Sequence, residues 1–174
     1  MLNNRFDAYC LLRNLGASAR LIRHVELVGE AGEALVANLQ KRGIHFDANF
    51  VECGIAIHDA GKMLFPEELD GPGSQHEVAG ERMLLERGVD PKLAHCCVSH
   101  AVWAADGVTF EERLVALADK LWKGKREKAL ELVIIDSAAE RSGLTRWDLF
   151  AELDILFEEI AAGADDRLAR SKVA

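Results

Sequence analysis

The sequence predicts an all-α protein: a single domain folded as a compact bundle of seven or eight helices, with essentially no sheet. Three observations lead there. The chain is rich in Ala, Leu and Glu but has only 3 Pro and 6% aromatic residues among 174, a balance that favours helices over strands. Apolar residues recur at alternating steps of three and four, as in Leu21-His24-Val28-Ala31-Leu35. Glycines and capping residues punctuate the chain at helix-length intervals. A chain of 174 residues buries a core without disulfide staples.

The elements follow in order. Asp7 to Leu15 reads as a short helix stopped by Gly16. Ser18 caps a long helix to about Arg42, stopped by Gly43. Asp47 or Asn49 opens a third through Val51, Ile55 and His58, ending near Gly61. Met63 to Gly73 is a loop, marked by Pro66 and Gly71-Pro72-Gly73. Ser74 with Glu77 forms a capping box for a helix to Arg87, which Gly88 ends. Asp90-Pro91 is a cap with proline at the first helical position, opening a helix to about Val102. Asp106-Gly107 is a turn, and Thr109 with Glu112 is a second capping box, opening the helix that holds Leu114 to Trp122. Gly124 breaks the chain before a helix from Arg126 to Arg141, closed by Gly143. Thr145 caps the last helix, Trp147 to about Ile160. No repeat, low-complexity tract or linker divides residues 1–174. The motif-bearing core spans about 18–126, the C-terminal helices 127–162, and the polar tail 164–174 is expected to fray.

The net charge of −8 lacks the basic footprint of a generic nucleic-acid binder, whose affinity comes from neutralising phosphates. The four cysteines, Cys10, Cys53, Cys96 and Cys97, form no C-x-x-C pair and read as free thiols of a reducing compartment. No N-terminal apolar signal and no membrane-length run is present, so the expectation is a cytoplasmic protein without membrane contact.

The informative residues are polar groups lodged in apolar stripes, which are costly to bury unless paired or bound to metal. His24 lies on the stripe Leu21-His24-Val28; alone it reads as a core histidine. His58-Asp59 ends the run Gly54-Ile55-Ala56-Ile57, where an ion pair with Lys62 is the plain alternative. Asp119 sits within Leu114 to Trp122, among the most apolar stretches, with a Lys123 pair one turn on as its plain alternative. Together, two histidines and two aspartates on inward helical faces form a ligand set for divalent Mn, Fe, Zn, Co, Ni or Mg. His76 and His100 extend it: with Asp59 as a bridge they supply a second metal position. His95 competes with His100 for that place, and His45 reads as structural or exposed.

The ordered pattern His24 … His58-Asp59 … Asp119 resembles the HD-domain superfamily of metal-dependent phosphohydrolases. His58-Asp59-Ala60-Gly61-Lys62 is similar to its His-Asp centre and Leu117-Ala118-Asp119-Lys120 to its last ligand motif. His76-Glu77-Val78-Ala79-Gly80 and His100 resemble the extra histidines of its binuclear branch. The resemblance covers about Ser18 to Arg126. It implies one or two divalent metals held by His24, His58, Asp59, His76, His100 and Asp119, with Asp59 and Lys62 catalytic. Lys62, Lys120 and Lys123 are then the phosphate binders, and Lys125 and Arg126 are weaker candidates. The implied reaction is hydrolysis of a phosphomonoester, phosphodiester or phosphoanhydride, of a nucleotide, by hydroxide generated at the metal. With a single metal, Glu67, Glu68, Asp70 or Glu77 would assist the water. The Gly-Tyr-Pro signature of cyclic di-GMP phosphodiesterases is absent: Gly71-Pro72 lacks the tyrosine, and Tyr9 is the only one. The alternative expectation is a catalytically silent module that binds a nucleotide or a protein. The C-terminal helix around Trp147, Phe150, Leu153 and Phe157 is a candidate homodimer face.

Overall fold

The computed structural model describes residues 2–172, whose regular elements are all helices, without a strand. In chain order the helices are α1 (Arg5–Asn14), α2 (Ala19–Lys41), α3 (Ala48–Ile57), α4 (Gln75–Glu86), α5 (Pro91–Ala94), α6 (Cys96–Ser99), α7 (Phe110–Leu121), α8 (Lys128–Ser142), α9 (Arg146–Ala162) and α10 (Ala164–Ser171). Two 3-10 turns, Ala60–Met63 and Pro66–Leu69, lie between α3 and α4. Helices α2, α3 and α7 pack on one another as the central trio. Their inward residues, among them Leu21, Val28, Leu35, Val51, Ile55, Leu114 and Leu117, are essentially inaccessible to water. Truncating any one of these to alanine would cost about 2–5 kcal/mol.

Most helix starts follow local sequence. Ser18, Asp47 and Asp90 accept backbone N–H bonds at the starts of α2, α3 and α5. Thr109 and Glu112 form the expected reciprocal box on α7, and Thr145 forms another with Asp148 on α9. Gly143 ends α8 at φ 73, where a side chain would be strained.

Four expectations need correction. Ser74 makes no side-chain cap on α4; the carboxylate of Glu68 takes that place, accepting from Gln75 N and His76 N at 3.1 Å each. The helix expected from Asp90 to Val102 is two single turns, α5 and α6, broken at His95. Met63 to Gly73 contains a 3-10 turn. The tail from Ala164 is a helix, α10, anchored by a buried arginine. Arg167 donates to the carbonyls of Trp122 (2.8 Å), Leu121 (3.2 Å) and Ile160, satisfying acceptors that the ends of α7 and α9 leave free. Residues 173 and 174 of that tail lie outside the described residues.

No helix among the described residues is long and apolar enough to cross a membrane. Of the candidate dimer face, Leu153 and Phe157 are buried in the chain's own core and Trp147 is exposed.

Candidate metal centre

The central trio brings three of the sequence-selected residues together. His24 projects from α2, His58 caps the C-terminus of α3, and Asp119 stands on the last turn of α7. Asp59 has left the helix, at φ −103 and ψ 17, before the turn Ala60–Met63. The chain's change of direction there, rather than a difference in side-chain reach, lets adjacent His58 and Asp59 face one point.

The approach of α4 depends on two glycines. A Cβ on Gly61 would sit 1.8 Å from the carbonyl oxygen of His76, and one on Gly80 would sit 2.7 Å from Gly61 N. Bare backbone on both sides brings the turn carrying Asp59 against the helix carrying His76.

Asp59 is the hub. Its Oδ2 lies 2.7 Å from His24 Nε2, 2.7 Å from Lys62 Nζ and 3.4 Å from His58 Nε2. Its Oδ1 faces His76 Nε2 at 3.1 Å and His100 Nε2 at 3.9 Å. Asp119 Oδ1 is 3.7 Å from His58 Nε2. Two sets of ligand atoms each fall within 4.8 Å of one another: His24, His58 and Asp119, and His58, Asp59 and His100. His76 belongs to neither set but sits beside Asp59 Oδ1.

Three histidines are oriented by their second nitrogen. His58 Nδ1 donates to Ile55 O at 2.7 Å, His100 Nδ1 to Cys96 O at 3.0 Å, and His76 Nδ1 to Glu68 Oε2 at 2.5 Å. Each bond fixes the ring's orientation and turns Nε2 to the cluster, the arrangement that supports metal-ligating histidines. His58 Nε2, His76 Nε2 and Asp59 Oδ1 are buried there without a hydrogen-bond partner. Orphaned acceptors of this kind are costly in a protein interior. A divalent ion would satisfy them, so the donor set fits one. His24 donates from Nε2 to Asp59, so its proton would shift to Nδ1 for Nε2 to ligate.

The electrostatics express the same demand for a cation. Burial pushes the Asp59 and Asp119 carboxyls up, but the neighbouring imidazoles outweigh it and hold both well below the usual carboxylate range. Burial works against an imidazolium at His58, yet without an ion Asp59 and Asp119 prevail and lift its pKa to about 9, so a metal would displace a proton from its Nε2. Burial pulls His24 down, and burial with the nearby His58 takes His100 to about 4.

A cavity of ≈ 340 Å³ opens on this cluster, lined by Asp59, His76, His100 and Asp119 and by the three lysines Lys62, Lys120 and Lys123. Lys120 and Lys123 Nζ lie 3.4 and 3.3 Å from Asp119 Oδ2. Arg126 is committed elsewhere, bonded to Glu131, Asp154 and Glu158, and Lys125 is exposed. Of the four acidic candidates, Glu68 is occupied in orienting His76 and Asp70 pairs with Arg20, while Glu77 lines the cavity and Glu67 is exposed. His95 points away, to Glu81 and Glu112, and His45 is exposed. Sequence reasoning missed Glu68 as an orienting group and Gly61 and Gly80 as the reason the segments meet. The acid lies eight residues before His76, beyond any helical spacing rule.

No solved structure matches the chain. A tRNA (cytidine(56)-2'-O)-methyltransferase of Thermoplasma volcanium is 28% identical over 75% of this chain, which spans only 42% of that relative's length. An uncharacterized protein of Methanocaldococcus jannaschii is 28% identical over 73% of this chain and 80% of its own length. The HD domain family description matches residues 21–136, a stretch that takes in His24, the His58-Asp59 pair and Asp119. By that match the chain belongs to the HD domain family, within the superfamily of metal-dependent phosphohydrolases.

Proposed function

We propose that the chain hydrolyses a small phosphorylated molecule, a nucleotide by first choice, at a centre of one or two divalent metals. The observation that carries this reading is the trio of histidines whose Nδ1 protons are tied to Ile55, Cys96 and Glu68, so that Nε2 lone pairs converge on a buried, incompletely bonded Asp59. Its two oxygens face two different groups of histidines, which supports a bridging role between two ions.

Bound divalent ions supply Lewis acidity, which makes water a nucleophile at neutral pH and offsets charge on phosphoryl oxygens. The chain's own residues do the rest. Asp59 holds the two halves of the centre in register. Lys62 draws its ammonium to the cavity through Asp59, and with Lys120 and Lys123 it binds and orients the phosphoryl oxygens, stabilising charge that grows during displacement. Glu68 keeps His76 in one tautomer.

The test is manganese-dependent release of nitrophenol from nitrophenyl phosphate and from its bis-ester, followed by a panel of nucleotides. The likeness to part of a tRNA methyltransferase adds terminal phosphates of RNA to that panel. The net charge of −8 argues against the chain holding a whole tRNA by its own surface. Metal-dependent turnover of any ester supports the proposal. Metal uptake with tight phosphate binding but no turnover across the panel would replace it with the non-catalytic module.

A further inference from the structure

A second concavity, of ≈ 590 Å³, shares no lining residue with the metal-centre cavity. It lies between the start of α3, the α5–α6 break and the first turn of α7, with Phe50 and Pro91 as apolar walls. Its polar end is electrostatically incomplete. Glu112 is 4% exposed. Its Oε2 accepts from Thr109 N and Oγ1 at 2.8 Å each, while its Oε1 is buried with no hydrogen-bond partner. Facing that oxygen at 4.0 Å is His95 Nε2. His95 Nδ1 is bonded to Glu81 Oε1 at 2.8 Å, which leaves Nε2 as the nitrogen turned to Glu112.

Glu112 Oε1 therefore has no donor within hydrogen-bond distance. A buried carboxylate oxygen left this way is costly. A positively charged N–H group that reaches it from the concavity satisfies the oxygen and offsets its charge. Asp47 and Glu111 line the same concavity with Lys92, and Arg141 stands 3.8 Å from Glu111. We propose that this pocket binds a primary amine or amidine with a short apolar body, its cationic head against Glu112 Oε1 beside His95 and its body along Phe50 and Pro91.

The experiment is titration of the protein, with and without manganese, by n-butylamine, agmatine and 1-butanol, read in 1H–15N NMR spectra. Both amines are expected to give saturable shifts centred on residues 91–95 and 107–112, and butanol none. Glu112→Gln keeps a carbonyl for the α7 cap but removes the charge, and should weaken amine binding about tenfold or more. His95→Phe, at a half-exposed position outside the cap, should weaken it similarly and serves if the first variant misfolds. Butanol binding as well as butylamine would overturn the proposal. So would an absence of saturable shifts, amine affinity unchanged in both variants, or shifts centred on Asp59 and Asp119 instead.

Discussion

Gly61→Ala breaks the metal-centre geometry without replacing a proposed ligand. The added Cβ would lie 1.8 Å from His76 O, 2.7 Å from His76 C and 2.8 Å from Gly80 N. All three are backbone atoms, so no rotamer change relieves the clash. The turn and α4 must separate by more than an ångström, carrying His76 away from Asp59. Overpacking of this kind costs about 3 kcal/mol, the upper end of the usual range. At 2–4 °C per kcal/mol for a chain of this size, Tm should fall by roughly 6–12 °C. Metal affinity should fall by roughly 10–100-fold, the range for a disturbed supporting shell. Thermal unfolding followed by circular dichroism and competition with a fluorescent chelator measure the two effects. A Gly61→Ala protein with wild-type Tm and full metal affinity would refute the argument that backbone contact sets the site.

Three other substitutions separate orientation, substrate binding and folding. Glu68→Ala removes the acceptor of His76 Nδ1 and the cap on α4; metal affinity should drop roughly 10–100-fold and stability by about 1 kcal/mol. Unchanged affinity by chelator competition would remove Glu68 from any orienting role. Lys123→Met should raise KM for a phosphoester while metal content stays constant, and unchanged kinetics would reduce that lysine to a partner of Asp119. Arg167→Met removes the side-chain donor from the Trp122 and Ile160 carbonyls and leaves Leu121 O to Gly124 N alone; a loss of about 2–4 kcal/mol, seen as a Tm lower by roughly 4–16 °C, is expected with metal content unchanged.

What the sequence revealed depended on how local the cause was. Caps at Ser18, Asp90 and Thr109 act within three residues, so their side chains announce them. In place of the Ser74 box, Glu68, folded back from the preceding 3-10 turn, takes the first two N–H groups of α4 with a full charge. The tail read as polar and loose because α10 is held by arginines with distant partners, Arg167 on carbonyls over forty residues away and Arg170 on Glu30, which no periodicity reports. At the site, His24, His58, Asp59 and Asp119 stood out because polar residues in apolar runs need a partner. His95 and His100 are equally polar, but five residues set them about 140° apart on a helix; His100 shares a face with buried Leu93 and Cys97 and turns inward, while His95 faces Glu81 and Glu112. The contact of Gly61 with α4 is a tertiary fact with no signature beyond two small residues.

The central claim is that Asp59 and its histidines hold catalytic metal. The most direct measurement is the metal content of the purified chain after reconstitution with manganese, paired with phosphoester turnover, for the wild type and for Asp59→Ala. The account predicts about two ions per chain with turnover in the wild type, and loss of both ions and activity in the variant. A folded wild-type chain that takes up no metal, or an Asp59→Ala chain that keeps metal-dependent turnover, would contradict it.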